Sequence, residues 1–406
     1  MNKRLKYAAI AALIIVAMYI AKKKLMVHNN DRGTFAYDRT FIQKYDKSAL
    51  VLTSGESSIL VSPNYQAKVF TSTAEGDSGK SFGWIHYTAF DGKPDPHMNA
   101  YGGENRIWLG PEGGKFSLFF KPGSKMEFAN WHTPAAYDSE AWDISFHSGT
   151  SVSLFKDMQL ENYAGTKLTL RVYRLISILK SATIDSLLGL TPDSSVSMVG
   201  YETENTLKNT GSEAWTEQSG MPCMWLLDMF PPSEQTTIVV PYLSDLANTK
   251  PATTNYFGEI PDERIKTDGK TLFFKADGKM RGKLGIHPMR VKNIAGSYDA
   301  ENGVLTLILF EKDNLGKYLN QEWNTDKEPF SGDAMNCYND GPLAGGGQLG
   351  PFYELESVAP AAFLKPGESQ KHKHAVFHFT GSENSLNQIS LKTLGVSLAE
   401  IKDALK

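Results

Sequence analysis

The residues best suited to chemistry lie near the end of this 406-residue chain, where Phe352-Tyr353-Glu354-Leu355-Glu356-Ser357 precedes His372-Lys373-His374-Ala375-Val376-Phe377-His378. On an extended strand alternate side chains share a face about 6–7 Å apart, so Glu354 and Glu356 point one way, and His372, His374 and His378 share a face of their own. Facing a cavity, the carboxylates form a pair in which one is an ionised base and the other is raised in pKa or bonded to ligand. Facing water, they are only a solvated strand. Imidazoles at i and i+2 suit a divalent ion, which makes His372 and His374 metal candidates; the alternating Lys371 and Lys373 fit an ordinary amphipathic strand equally well.

A second dense segment runs Tyr101-Gly102-Gly103-Glu104-Asn105-Arg106-Ile107-Trp108-Leu109-Gly110-Pro111-Glu112-Gly113-Gly114-Lys115. Its glycines invite a phosphate-loop reading, which fails because three residues, not four, separate Gly110 from Gly114, and Phe116 stands where Ser or Thr is required. What remains is a loop carrying Glu104, Arg106 and Trp108: charged groups for sugar hydroxyls and an indole for the apolar face of a pyranose. Asn130-Trp131-His132 offers a second indole, Trp131, beside a proton donor, His132, and His287 is a similar donor. Of the polar residues Asp333, Asn336, Tyr338, Asn339 and Asp340, most suit turn chemistry, and Asp340 joins the substrate-binding candidates. No Gly-x-Ser-x-Gly elbow, His-Glu-x-x-His or dinucleotide fingerprint occurs.

The elements that must position these residues read as short strands. Thr/Val/Ser-rich runs such as 151–161, 167–178, 196–207, 304–311, 352–357 and 372–380 alternate with Asn/Asp/Gly turns, which suits an antiparallel sheet protein. Seven Trp, 17 Tyr and 21 Phe favour strands too. Helices are few: a short one at 184–188 and one at 397–405, where Ser397 and Glu400 make a capping-box pattern.

The first residues differ in kind. Lys3, Arg4 and Lys6 precede an apolar run from Tyr7 to Ala21, and Lys22, Lys23 and Lys24 close it. As a helix that run spans roughly 22 Å, extendable by snorkelling lysines towards the roughly 30 Å bilayer core. Tyr19 opposite Ala21 spoils a small-x-small cleavage site, so an uncleaved membrane anchor is preferred over a cleaved signal. The net charge of −3 and the lack of a basic stripe give no reason to expect nucleic acid. Cys223 and Cys337 leave a disulfide and two separate thiols equally open.

The segments Gly102–Gly114, Phe352–Ser357, Leu364-Lys365-Pro366-Gly367-Glu368, Asn130-Trp131-His132-Thr133-Pro134-Ala135 and Asn162-Tyr163-Ala164-Gly165-Thr166 together resemble an uncharacterised family of bacterial envelope proteins in the galactose-mutarotase-like (aldose 1-epimerase-like) superfamily, over roughly residues 40–382. The resemblance implies a β-supersandwich with a concave carbohydrate-binding face. In mutarotases of this superfamily a late-strand Glu acts as base on the anomeric hydroxyl and a His protonates the ring oxygen. Glu356 matches that Glu, and His132 and His287 are the candidate acids, although the mutarotase Asn-His segment is missing here.

The expectation is therefore an all-β, antiparallel supersandwich with few short helices and an N-terminal anchor helix. Residues 1–24 form the anchor, 25–48 a tether, 49–382 the carbohydrate-binding domain and 383–406 a helical tail. Its partners would be a saccharide and, through residues 7–21, a membrane; no cofactor is expected. It would sit in the bacterial cell envelope, with the domain in the periplasm or outside. The alternatives are a noncatalytic envelope scaffold and a metal-dependent carbohydrate lyase or hydrolase using His372 and His374.

Overall fold

A computed structural model describes residues 32–244, 250–343 and 345–406. The expected anchor and the first part of the tether lie outside the described residues. Among the described residues, no helix is long and apolar enough to cross a membrane.

Strands dominate, numbered here in chain order. A three-stranded sheet holds β1 (Leu50–Ser54), β2 (Ser57–Ser62) and β3 (Lys68–Thr73). A ten-stranded sheet runs, in spatial order, β11 (Ile265–Thr267), β12 (Thr271–Lys275), β10 (Thr236–Pro241), β14 (Ile294–Asp299), β15 (Val304–Phe310), β18 (Ser369–Thr380), β8 (Ser197–Asn209), β7 (Lys167–Ile178), β6 (Ser151–Glu161) and β5 (Asp143–His147). A five-stranded sheet runs β13 (Gly282–Ile286), β16 (Met335–Asn339), β17 (Tyr353–Val358), β9 (Cys223–Phe230) and β4 (Arg106–Gly110).

The two larger sheets bury different numbers of faces. On β7, Leu168, Leu170, Val172, Arg174, Ile176 and Ile178 are buried while their neighbours reach solvent, the signature of one covered face. Every residue of β17, β9 and β16 is buried, so the five-stranded sheet is covered on both sides. One side packs on the ten-stranded sheet through a continuous apolar core that includes Leu355, Val376, Ile107 and Leu284.

On β18 the alternation splits cleanly. Ala375, Phe377 and Phe379 pack outward with Ile389, Leu398 and Ile401 of the C-terminal helices, Glu383–Thr393 and Leu398–Asp403. The second of these begins with the Ser397/Glu400 capping box. His372, His374 and His378 therefore point between the sheets.

Part of the segment expected as a tether, 25–48, is helical. A helix occupies Phe35–Tyr45, capped by Thr34, and buries Phe35, Ala36, Asp38 and Ile42. Its apolar residues pack with Leu60, Phe70 and Phe90, and Asp38 accepts hydrogen bonds from the Ser81 and Tyr87 hydroxyls. This segment belongs to the domain because its apolar face has a partner there.

Candidate functional site

The face of the five-stranded sheet turned away from the ten-stranded sheet carries an unusual density of charge. Register places Met229, Glu354, Tyr338 and Lys283 in one row across β9, β17, β16 and β13. The next row holds Arg106, Leu227, Glu356, Asn336 and Gly285, and the next Trp108, Trp225 and Val358. Because the side-chain period of a strand is two, all of these share one face.

Two ion pairs organise it. Arg106 Nη2 donates to Glu354 Oε1 at 2.9 Å, with the guanidinium 4.3 Å from the Trp108 ring centre. Lys283 Nζ donates to Glu356 Oε2 at 3.0 Å and lies 4.6 Å from the Trp225 ring centre, while Trp225 Nε1 donates to the same oxygen at 2.7 Å. Each cation thus rests on an indole and holds one glutamate, an arrangement that combines cation–π and charge-assisted hydrogen bonding. Around them, Glu112 Oε1 accepts from Trp323 Nε1 at 3.1 Å, and Asp333 Oδ2 accepts from the Tyr256 hydroxyl at 2.7 Å.

Burial governs the protonation of these carboxyls. It pushes Glu354 up to about 7 against the pull of Arg106, pushes Asp333 up to about 6, and raises Glu112. Lys283 opposes the rise in all three, so one ammonium serves the whole cluster. Several buried polar atoms have no partner among the described residues: Glu356 Oε1, Arg106 Nε and Trp131 Nε1. Gln321 Nε2, beside Gly110 at the end of β4, is another.

Four of the residues picked out by sequence, Glu354, Glu356, Arg106 and Trp108, therefore meet on one face. Trp108, however, is not an open platform for a sugar, because Arg106 covers it and Trp225 packs against it at 5.6 Å between ring centres. Trp131 lies behind it at 6.4 Å, buried and stacked on Phe119 and Trp323.

The other candidates go elsewhere. Glu104 is buried against β3 and β18, where Oε1 accepts from Ser72 Oγ at 2.8 Å and meets His378 Nε2 at 3.1 Å. The chain bridges to β3 there, with Glu104 N donating to Phe70 O, and this turns Glu104 away from Arg106. His132 is exposed, stacked on His97 at 4.6 Å and bonded through Nδ1 to Pro96 O. His287 is exposed in the turn after β13, where its Nδ1 accepts from Met289 N at 3.3 Å. Asp340 accepts from the Tyr338 hydroxyl of β16 at 2.9 Å and, through its other oxygen, from Gly350 N at 2.7 Å, which closes the following loop.

His372 and His374 are engaged within the core. Ser357 Oγ lies 2.9 Å from His372 Nε2 and 2.8 Å from His374 Nδ1, and His374 Nε2 lies 2.6 Å from Asp228 Oδ2. Asn105 and Arg174 continue the chain of bonds from Asp228. The Ser-His-Asp order is that of a hydrolase triad, yet all three residues lie in the core between the sheets, on the face opposite Glu354 and Glu356. Among the described residues, no group of three or more His, Cys, Asp or Glu could hold a metal ion, which corrects the metal candidacy of His372 and His374.

A model described as "Family of unknown function (DUF6786)" matches residues 33–405. The chain belongs to this family. No curated protein matches it. Among solved structures it is similar to a galactose mutarotase-like protein from Lactobacillus casei ATCC 334, at 11% identity and TM-score 0.47 over 82% of this chain and 100% of that one. It is also similar to the Slr1438 protein from Synechocystis sp. PCC 6803, at 12% identity and TM-score 0.49 over 82% and 96%. A third, a galactose mutarotase related enzyme from Lactobacillus acidophilus, has 8% identity and TM-score 0.43 over 82% and 97%.

Sequence reasoning did not bring Lys283, Trp225, Glu112, Trp323 or Tyr256 to this DUF6786 site, and it left Asp333 among residues suited to turn chemistry. Lys283 carried a usable signal, a lone ammonium alternating with Leu284 and Ile286 inside a strand. A lysine in a strand buried throughout needs a carboxylate. Trp225 and Trp323 carried none, since an isolated Trp in an apolar run most often packs a core.

Proposed function

We propose that the charged face of the five-stranded sheet binds a saccharide and acts on its anomeric centre, with Glu356 as base. The observation that carries this reading is the pair of buried, unpartnered atoms Glu356 Oε1 and Arg106 Nε. Leaving such atoms unbonded costs about 1–3 kcal/mol each. A hydroxyl-rich ligand answers both, because each hydroxyl donates one hydrogen bond and accepts others. Further support comes from the motif resemblance, in which Glu356 matches the late-strand base, and from the ammonium and indole N–H that hold Glu356 Oε2 in place and leave Oε1 for a ligand.

Among the described residues no histidine bonds to Arg106, Lys283, Glu354 or Glu356, so His132 and His287 are not carried forward as acids. The apolar run from Tyr7 to Ala21 between basic flanks supports a place at the bacterial cell envelope, while three basic residues on each side leave its orientation unset by charge.

The test is retention on immobilised glycans at millimolar concentration, followed by polarimetry of anomerically pure α-D-glucose and α-D-galactose. Glu356→Gln is expected to slow interconversion by about 100-fold or more while sugar is still retained. Failure of the wild-type chain to retain any saccharide would reject the reading and favour a noncatalytic scaffold.

A further inference from the structure

The reading above leaves its reaction without an acid. We propose that Glu354 is that acid, working opposite Glu356, so that a single strand supplies both proton-transfer groups. This rests on the saccharide reading and deepens it.

Both side chains leave β17 on the same face two residues apart, which places their Cα atoms about 6–7 Å from each other. The anomeric hydroxyl and the ring oxygen of a pyranose are bonded to one carbon, so two groups at this separation reach both from one side. Their surroundings divide the labour. Glu356 Oε2 receives two donors, the ammonium of Lys283 and the indole N–H of Trp225, which leaves Oε1 to accept a proton. Glu354 has one donor, Arg106 on Oε1, and its Oε2 makes no hydrogen bond among the described residues, leaving that oxygen to carry a proton towards a ligand. Burial pushes this carboxyl up to about 7, so its protonated form is well populated near neutrality.

The other charged and titratable groups around Glu354 do not fit the role. Arg106, from β4, is a permanent cation. Lys283, from β13, is already bonded to Glu356, the base. Tyr338, from β16, donates its hydroxyl to Asp340.

The step balances without a co-reactant. Glu354 Oε2–H gives its proton to the ring oxygen as the bond from the anomeric carbon to that oxygen breaks, its electron pair passing to the oxygen. Glu356 Oε1 takes the proton of the anomeric hydroxyl, whose O–H electron pair becomes the second bond of the aldehyde. Rotation about the bond between the first two carbons turns the other aldehyde face to the released hydroxyl. Reclosure returns the proton from Glu356 to the carbonyl oxygen and that of the attacking hydroxyl to Glu354.

The experiment follows α-D-glucose and α-D-galactose interconversion by the full chain. Wild type is expected to lose rate as pH rises through about 7, because Glu354 must be protonated to act. Glu354→Gln, whose amide still accepts from Arg106, is expected to retain sugar, to run about 100-fold slower and to lack that alkaline fall; Glu354→Asp is expected to recover part of the rate together with the fall. A Glu354→Gln protein with wild-type turnover, or one keeping the same alkaline fall, overturns the proposal. Turnover lost in Glu356→Gln but intact in Glu354→Gln rejects only the acid and leaves the base standing. A wild-type chain that binds either sugar without interconverting it overturns the proposal and leaves binding intact.

Discussion

Lys283 Nζ stands 3.0 Å from Glu356 Oε2 in an ion pair closed across β16, between two strands that do not touch each other in the sheet. Both side chains are buried, so neither charge has water to fall back on. Lys283→Met is expected to destabilise the fold by about 3–5 kcal/mol, because it strands a buried carboxylate. Adding Glu356→Gln should return part of that loss. Urea unfolding of the two single variants and the double variant measures the coupling, and a value under about 0.5 kcal/mol would dismiss the pair as a stabilising unit.

The core histidines predict a pH dependence. Burial, reinforced by the charge of His374, holds the His372 imidazole down at about 3 from its ordinary 6.5. Across that window the unfolded chain binds a proton that the folded chain refuses, so stability falls as pH falls, by up to about 1.4 kcal/mol per unit. Glu354 acts in the opposite sense: its folded pKa of about 7 exceeds the ordinary 4.5, so its contribution is present in acid and is lost as pH rises through 7. His372→Gln, which keeps an N–H for Ser357, is expected to flatten the acid side of a stability profile and leave the neutral side unchanged. Identical profiles for the two proteins would contradict this.

The loop bearing Glu112 depends on a glycine. A Cβ on Gly113 would lie 2.2 Å from the carbonyl oxygen of Glu322, the residue before Trp323. Gly113→Ala must push the two segments apart, weakening the bond from Trp323 Nε1 to Glu112. A loss of about 1–3 kcal/mol is expected, with a shift in tryptophan emission. Unchanged emission and stability would show that the segments can part freely.

Cys223 and Cys337 settle a question that their spacing leaves open. Both are free and buried, on β9 and β16, with β17 between them. Register puts Cys223 on the face of Trp225 and Cys337 on the opposite face with Leu355, so no disulfide can form between them. Thiol titration is expected to find two reactive groups in unfolded protein and none in folded protein, with no effect of reductant on the melting temperature.

Much of the site was legible because strand parity is a property of sequence. The period of two places Glu354 with Glu356 and His372 with His374 and His378 before any contact is known. Parity has no sign, however: it says which residues share a face and not which face meets the core. Glu104 shows a further limit, since Asn105 bridges to Val69 of β3 before β4 begins and breaks the alternation that would have set Glu104 beside Arg106. The helix at Phe35–Tyr45 was missed because its apolar side makes sense only against Leu60 and Phe70.

By itself, then, the sequence determined the strand-rich class, the turns, the capped terminal helix and the pairing of Glu354 with Glu356. Tertiary structure decided that the histidines lie inside, because Phe377 and Phe379 on the other face of β18 are claimed by the C-terminal helices. It also decided that Glu356 answers to a lysine 73 positions away in the chain. Local periodicity cannot encode that contact, which exists only because β16 lies between β13 and β17 and brings their side chains within reach on one face.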